Sequence, residues 1–144
     1  MIAVDTNLLV YAHREDSPWH DAALRAMKQL AEGTGAWAIP WPCVHEFLAI
    51  VTHPRIYRPP TPPDIALAAV RAWMIAPGLH LIGEGPEYFQ RLEEQVRSGK
   101  VTGPMIHDAR IAALCLDHGI RTFWTVDRDF SRFPDLNIRN PLVA

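Results

Sequence analysis

Asp5, Glu46, Asp108, Asp127 and Asp129 are the residues of this 144-residue chain whose type and placement point most directly to chemistry. They are scattered along the sequence, yet each falls where a strand should end or a helix should begin. In a parallel α/β sheet the carboxyl ends of the strands and the amino ends of the returning helices share one rim, where ligands bind. Carboxylates gathered there repel one another unless a cation sits among them. Hard divalent ions such as Mg²⁺ and Mn²⁺ take oxygen ligands of this kind, and their usual work with carboxylates is phosphate chemistry.

The elements that would position these acids can be read from apolar spacing. Short apolar runs at Ile2–Val4, Trp37–Ile39, Leu79–Ile82 and Thr122–Val126, with a weaker fifth around Ile138, alternate with helical patterns. Continuous short strands separated by helices predict a parallel sheet covered on both faces. Of the thirteen prolines, Pro18, Pro42, Pro62, Pro86 and Pro104 stand where helical patterns begin. Proline is tolerated there because its missing N–H would be unpaired anyway. Ser17 and Thr61 precede two of them as N-cap candidates. The predicted inward faces are Trp19, Ala22, Ala23, Ala26 and Leu30 in one helix and Ile65, Ala68, Ala69, Ala72 and Trp73 in the next. Phe89, Leu92 and Val96 mark a third, and Ile106, Ala109, Ala113 and Leu116 a fourth.

Asp5 follows the first strand at once, and Asp127 and Asp129 follow the fourth. Glu46 and Asp108 each lie four residues after a helix-opening proline, so both belong on a first or second turn. The positive end of the helix dipole favours a carboxylate there by a few tenths to about 1 kcal/mol. Bringing Asp108 to the rim raises a difficulty. A helix running straight down from Pro86 to Ser98 is roughly 20 Å long, and the five residues Gly99–Gly103 span at most about 17 Å. That helix either lies obliquely or is shorter than its pattern.

Half of the chain, 49%, is apolar and 21% is charged, the balance of a globular protein able to bury one core. A single domain over residues 1–144 is expected, with no linker or repeat. No apolar run approaches the roughly 20 residues of a membrane span. The chain opens as a strand without signal-peptide features, so a cytoplasmic location is the expectation. The net charge of −2 argues against a broad nucleic-acid-binding surface. A local basic track remains open, since arginine outnumbers lysine twelve to two.

At the carboxylate motifs the chain resembles PIN-domain ribonucleases, and more closely the VapC toxins of bacterial and archaeal toxin–antitoxin modules. The markers are VDTNLLVYA with Asp5, Thr6 and Asn7, VHEFLAIVTHP with Glu46, HDARIAALCLDHG with Asp108, and TVDRDF with Thr125, Asp127 and Asp129. Their order and spacing span essentially the whole chain. The resemblance implies a three-layer α/β/α sandwich with a short-stranded, mainly parallel sheet. It also implies Mg²⁺- or Mn²⁺-dependent RNA hydrolysis leaving a 5′-phosphate and a 3′-hydroxyl. A cognate VapB antitoxin would lay its carboxyl-terminal segment across the groove, an arginine pairing with the acids, and the toxin would be a homodimer. Combined with metal chemistry, it makes Asp5 and Asp108 the main metal ligands. Glu46 and Asp127 complete the set, Asp127 being favoured over Asp129. Thr6, Asn7, Thr125 and Asp129 would orient these carboxylates, and the ion would activate a water for in-line attack on the phosphorus.

Arg55, Tyr57 and Arg58, in the proline-stiffened connection, and Arg128 and Arg132, flanking TVDRDF, are candidate RNA contacts. His45 and His107 adjoin Glu46 and Asp108, but helical neighbours point about 100° apart, and no zinc-like His/Cys spacing exists. Cys43 and Cys115 read as buried free thiols. Other functions fit less well. A phospho-receiver needs a late lysine after a strand, a haloacid-dehalogenase-type phosphatase needs an acid where Asn7 stands, and a dinucleotide site needs a glycine-rich first turn. The alternative from another class is a non-catalytic RNA- or protein-binding PIN-like module with idle acids.

Overall fold

Each of the five apolar runs is a strand in the computed structural model, which describes residues 1–143. The order is β1 (Ile2–Val4), α1 (Thr6–His13), α2 (His20–Glu32), β2 (Trp37–Pro40), α3 (Trp41–Val51), α4 (Pro63–Ile75), β3 (Leu79–Ile82), α5 (Tyr88–Gly99), α6 (Ile106–Asp117), β4 (Thr122–Trp124) and β5 (Asn137–Arg139). Single 3₁₀ turns cover Gly103–Met105 and Arg128–Arg132.

All strand pairings are parallel, in the order β3-β2-β1-β4-β5, with Ile2 in register with both Trp37 and Thr122. Consecutive residues of the three inner strands are buried: Ala3 and Val4, Trp37 to Ile39, Phe123 and Trp124. That burial on both faces is why they are apolar without alternation. Parallel crossovers are right-handed. The steps from β1 to β2 to β3 therefore place α1–α4 on one face, and the return from β3 to β4 places α5 and α6 on the other. The packing agrees: α1 contacts α2 and α3, α3 contacts α4, and α5 contacts α6. The result is a three-layer α/β/α sandwich. The direction of connection reverses between β1 and β4, which opens a crevice beyond their carboxyl ends.

The passage from β3 to α6 resolves the length difficulty. Glu84 pairs with Arg110 at 3.4 Å, and the Gly85 N–H donates to Asp117 at 3.1 Å. The connection thus runs along α6, and α5 starts against α6 instead of on the rim. Lys100, with φ of 51°, then reverses the chain and buries Val101. Residues 100–102 need only turn, and α5 and α6 form a helical hairpin.

Several local expectations are corrected. The fourth strand ends at Trp124, because Thr125 and Asp127 turn into the crevice. Only α3 and α4 carry proline in their first turn; α2, α5 and α6 begin two residues after Pro18, Pro86 and Pro104. Ser17 accepts from the Trp19 N–H (3.1 Å) in the turn ahead of α2, and Trp19 itself stays 47% exposed. Thr61 caps nothing: its hydroxyl meets His13 and Arg14, tying the loop before α4 to α1. In α4 the buried positions are Ala66 and Val70, and Ile65 is 56% exposed. In α5, Gln95 and Gly99 are buried and Phe89 is 66% exposed. Gly99 is needed there because a Cβ would come within 2.8 Å of the Phe133 ring.

Candidate metal centre and active site

Asp5 leaves β1 as the N-cap of α1, where its Oδ1 accepts the Thr6 N–H at 2.8 Å. Its own N–H donates to the Trp124 carbonyl on β4, which fixes the backbone across the switch point. The Thr125 hydroxyl donates to Asp5 Oδ2 at 2.6 Å and accepts the Asp127 N–H at 3.0 Å. One threonine therefore orients both acids. Glu46, on the second turn of α3, accepts from the Thr6 hydroxyl at 3.2 Å. Asp108 lies in the first turn of α6.

Asp127 caps the following 3₁₀ turn, its Oδ1 accepting the Asp129 N–H at 2.9 Å. This turn is anchored by buried aromatic rings: Phe130 packs on Phe123 at 4.9 Å between centroids and on Phe133 at 6.0 Å. Apolar packing below thus holds Asp127 and Asp129 toward the crevice. Ligand oxygens of Asp108, Asp127 and Asp129 lie within 4.8 Å of one another. Asp129, expected to orient its neighbours, sits with Asp108 and Asp127 in this trio.

The electrostatics join the trio to Asp5 and Glu46. Burial pushes Asp5 up from 3.8 to about 6, against the pull of Thr125 and the Thr6 N–H, with the charges of Glu46 and Asp127 adding to the rise. Burial also raises Asp108 to about 6, reinforced by Asp127, Asp129 and Glu46, while His107 draws it down. The ion pairs among the described residues join Arg14 to Asp16, Arg91 to Glu94, Arg97 to Glu93 and Arg110 to Glu84. None of them neutralises an acid of the site. The neighbouring acids thus add to the rise of Asp5 and Asp108, and the ligand oxygens brought within reach of one another are those of Asp108, Asp127 and Asp129, with Asp5 and Glu46 outside that trio.

The donor set fits a hard divalent ion. Oxygens bound at about 2.1 Å can be at most about 4.2 Å apart, so the trio needs only a small side-chain closure. No histidine belongs to this trio, and His45 stacks on Trp41 at 6.0 Å between centroids.

Two features of the site were not read from the sequence. The buried Cys43 thiol donates to Asp5 Oδ1 at 3.7 Å. Its place three residues before Glu46, on the same face of α3, was the available signal. Asn7 Oδ1 is buried and accepts no hydrogen bond from the protein. Arg55, Arg58, Arg128 and Arg132 are all exposed. Tyr57 is covered by the Arg14 guanidinium, 4.3 Å from its ring centroid, so that face is closed to a base.

The PIN-domain family profile matches residues 2–136. The chain is 31% identical over 137 residues to ribonuclease VapC48 of Mycobacterium tuberculosis, covering 95% of this chain and 94% of that one. It is a PIN-domain protein of the VapC family. A second relative, VapC ribonuclease Mb2897 of Mycobacterium bovis, is 32% identical over 142 residues, covering 99% of this chain and 96% of its own. Among solved structures, VapBC2 of Rickettsia felis bound to a promoter DNA fragment superposes with a TM-score of 0.67 at 19% identity, covering 97% of this chain and 98% of that chain. VapC20 of Mycobacterium tuberculosis, a toxin that cleaves the sarcin–ricin loop, gives a TM-score of 0.63 at 20% identity over 91% of this chain and 93% of its own. At those identities the structures establish a shared VapC fold. No helix among the described residues is long and apolar enough to cross a membrane.

Proposed function

We propose that this VapC-family chain is a metal-dependent endoribonuclease, the toxin of a toxin–antitoxin module whose partner is a VapB-type antitoxin. The observation that carries the reading is the unneutralised carboxylate cluster at the β1/β4 switch point. It is supported by relatives named as VapC ribonucleases and by structural neighbours that are toxin–antitoxin complexes. Asp108 and Asp127, with Asp5, Glu46 or Asp129, would hold Mg²⁺ or Mn²⁺. When bound, such an ion supplies acidification of a water and charge neutralisation at the phosphate.

The chain's own residues perform the rest. Thr125 and the Thr6 N–H hold the Asp5 carboxylate in one orientation, and the Thr6 hydroxyl does the same for Glu46. The Phe130 and Phe133 rings beneath keep the Asp127 loop against the crevice. An RNA backbone would cross this rim with its attacked phosphorus over the carboxylates. An arginine offered by the antitoxin would meet the same uncompensated charge, which accounts for inhibition at this site. Exposed Trp41, Leu67, Met74 and Ile75 on α3 and α4 give the expected homodimer an apolar surface to cover.

The test is cleavage of an unstructured RNA by the antitoxin-free protein in Mg²⁺ or Mn²⁺. EDTA should abolish it, and Asp108→Asn should remove it while leaving the unfolding temperature at or above the wild-type value. Undiminished cleavage in EDTA, or by Asp108→Asn, defeats the proposal.

A further inference from the structure

Two depressions adjoin along the β5 side of the molecule and share Leu142 and Val143 in their walls. One, of about 260 Å³, is lined by Tyr11, Trp19, Arg128 and Asn140. The other, of about 470 Å³, is lined by Arg25, Gln29, Trp124 and Arg139. We propose that together they form a track for single-stranded RNA flanking the bond to be cut, with Arg128, Arg139 and Arg25 on phosphates and Trp19 stacking a base. This rests on the nuclease reading for its direction, since Arg128 follows Asp127 directly and places one end of the track at the carboxylates.

Charge selects the ligand. The chain carries more acids than bases, 16 against 14, yet among the described residues no Asp or Glu side chain lines either depression. Arg25, Arg128 and Arg139 belong to none of the ion pairs among the described residues. Among the described residues no acidic side chain pairs with their guanidinium groups, whose geometry suits phosphate.

Trp124 lines the second depression. Trp124 is 3% exposed, and its Nε1–H is buried without an acceptor in the protein. The Arg139 guanidinium lies 5.7 Å from the centroid of the same ring. The ring thus backs the Arg139 guanidinium at the edge of the depression, where an anionic oxygen can meet it. Trp19, exposed at the turn before α2, has no core role and offers a flat face. Flat aromatic faces accept bases that are not already stacked in a duplex, which favours a single strand over paired RNA.

The decisive experiment separates binding from cleavage. Fluorescence anisotropy of a fluorescein-labelled oligoadenylate would be measured with the full-length wild-type protein in EDTA across a KCl series. Arg25→Ala/Arg139→Ala should weaken binding at least about tenfold. It should also reduce the slope of log affinity against log salt by about 1.4, roughly 0.7 for each phosphate that is no longer neutralised. Trp19→Ala should weaken binding about tenfold with little change in slope, and Trp19→Phe should restore most of it. Arg71→Ala, on α4, serves as a control for loss of one positive charge away from the track and should change neither quantity. With metal present, the double variant should raise KM and leave kcat unchanged.

The track is overturned if the double variant binds with wild-type affinity and slope, or if an oligoadenylate–oligouridylate duplex binds as tightly as the single strand. The same double variant losing affinity for an antitoxin peptide, with RNA binding intact, would also overturn it by giving the surface to the protein partner. Wild-type protein that binds as described yet never cleaves defeats the nuclease reading and supports the track. Cleavage with unaltered binding in the variants does the reverse.

Discussion

Asp5→Asn gives a quantitative check on the electrostatics of the site in the absence of metal. Asp5 is 5% exposed and its carboxyl is raised from 3.8 to about 6. A group that binds its proton more tightly in the folded state contributes stability that is complete below the unfolded value and lost as pH rises through the folded one. For Asp5 the full difference is about 3 kcal/mol, and about half of it falls between pH 5 and pH 8. Wild-type protein in EDTA should therefore lose about 1–2 kcal/mol from this group over that range. For a chain of this size that is a drop in unfolding temperature of about 3–6 °C. Asp108 acts with the same sign. His13 acts oppositely: burial holds it below 6.5, so its contribution is lost as pH falls. Both are shared with Asp5→Asn, so the difference between the two proteins isolates Asp5. Scanning calorimetry at pH 5 and pH 8 should show the variant gaining on the wild type as pH rises. An identical pH dependence in both proteins refutes the assignment of a strained, uncompensated carboxylate.

Thr125→Val removes the 2.6 Å donor to Asp5 and the acceptor of the Asp127 N–H; Mn²⁺ affinity by titration calorimetry should fall about 10–100-fold, and an unchanged affinity would contradict the orienting role. Phe47→Ala empties a fully buried site against Trp73 and His13, and urea unfolding should register a loss of about 3–5 kcal/mol. Gly119→Ala, at a φ of 71° with open space around it, should cost about 1 kcal/mol from backbone strain alone. A larger loss would mean that the side chain clashes.

The strands and the sheet class were legible because apolar runs as short as Ile2–Val4, set between longer helical patterns, suit a sheet buried on both faces. The placement of Asp5 and Asp127 followed from strand ends alone. The inward faces of α4 and α5 were not legible. In α4, apolar residues point both inward (Ala66, Val70) and outward (Ile65, Leu67, Met74, Ile75). A pattern apolar on both sides has no phase that spacing can select. In α5 the exposed Phe89 and the buried Gln95 invert the usual rule. The route from β3 to α6 depended on Glu84–Arg110 and Gly85–Asp117, contacts between distant residues that periodicity does not encode. Arg14 over Tyr57 is a further case: the sequence displays the ring, and only the fold shows it capped.

The bond from Thr125 to Asp5 joins positions 120 residues apart, and strand β4, just before Thr125, is inserted beside β1 only after every element from β1 to α6 has been made. Every contact that orients Asp5 from that side is therefore absent until most of the polypeptide has emerged. A ribosome halted before Thr122 would carry α1–α6 and three adjoining strands, with the inner slot beside β1 unfilled. Such a fragment lacks Asp127 and Asp129 as well as the hydroxyl that aims Asp5. A carboxylate cluster built on this topology assembles only once β4 and the turn after it have joined the sheet.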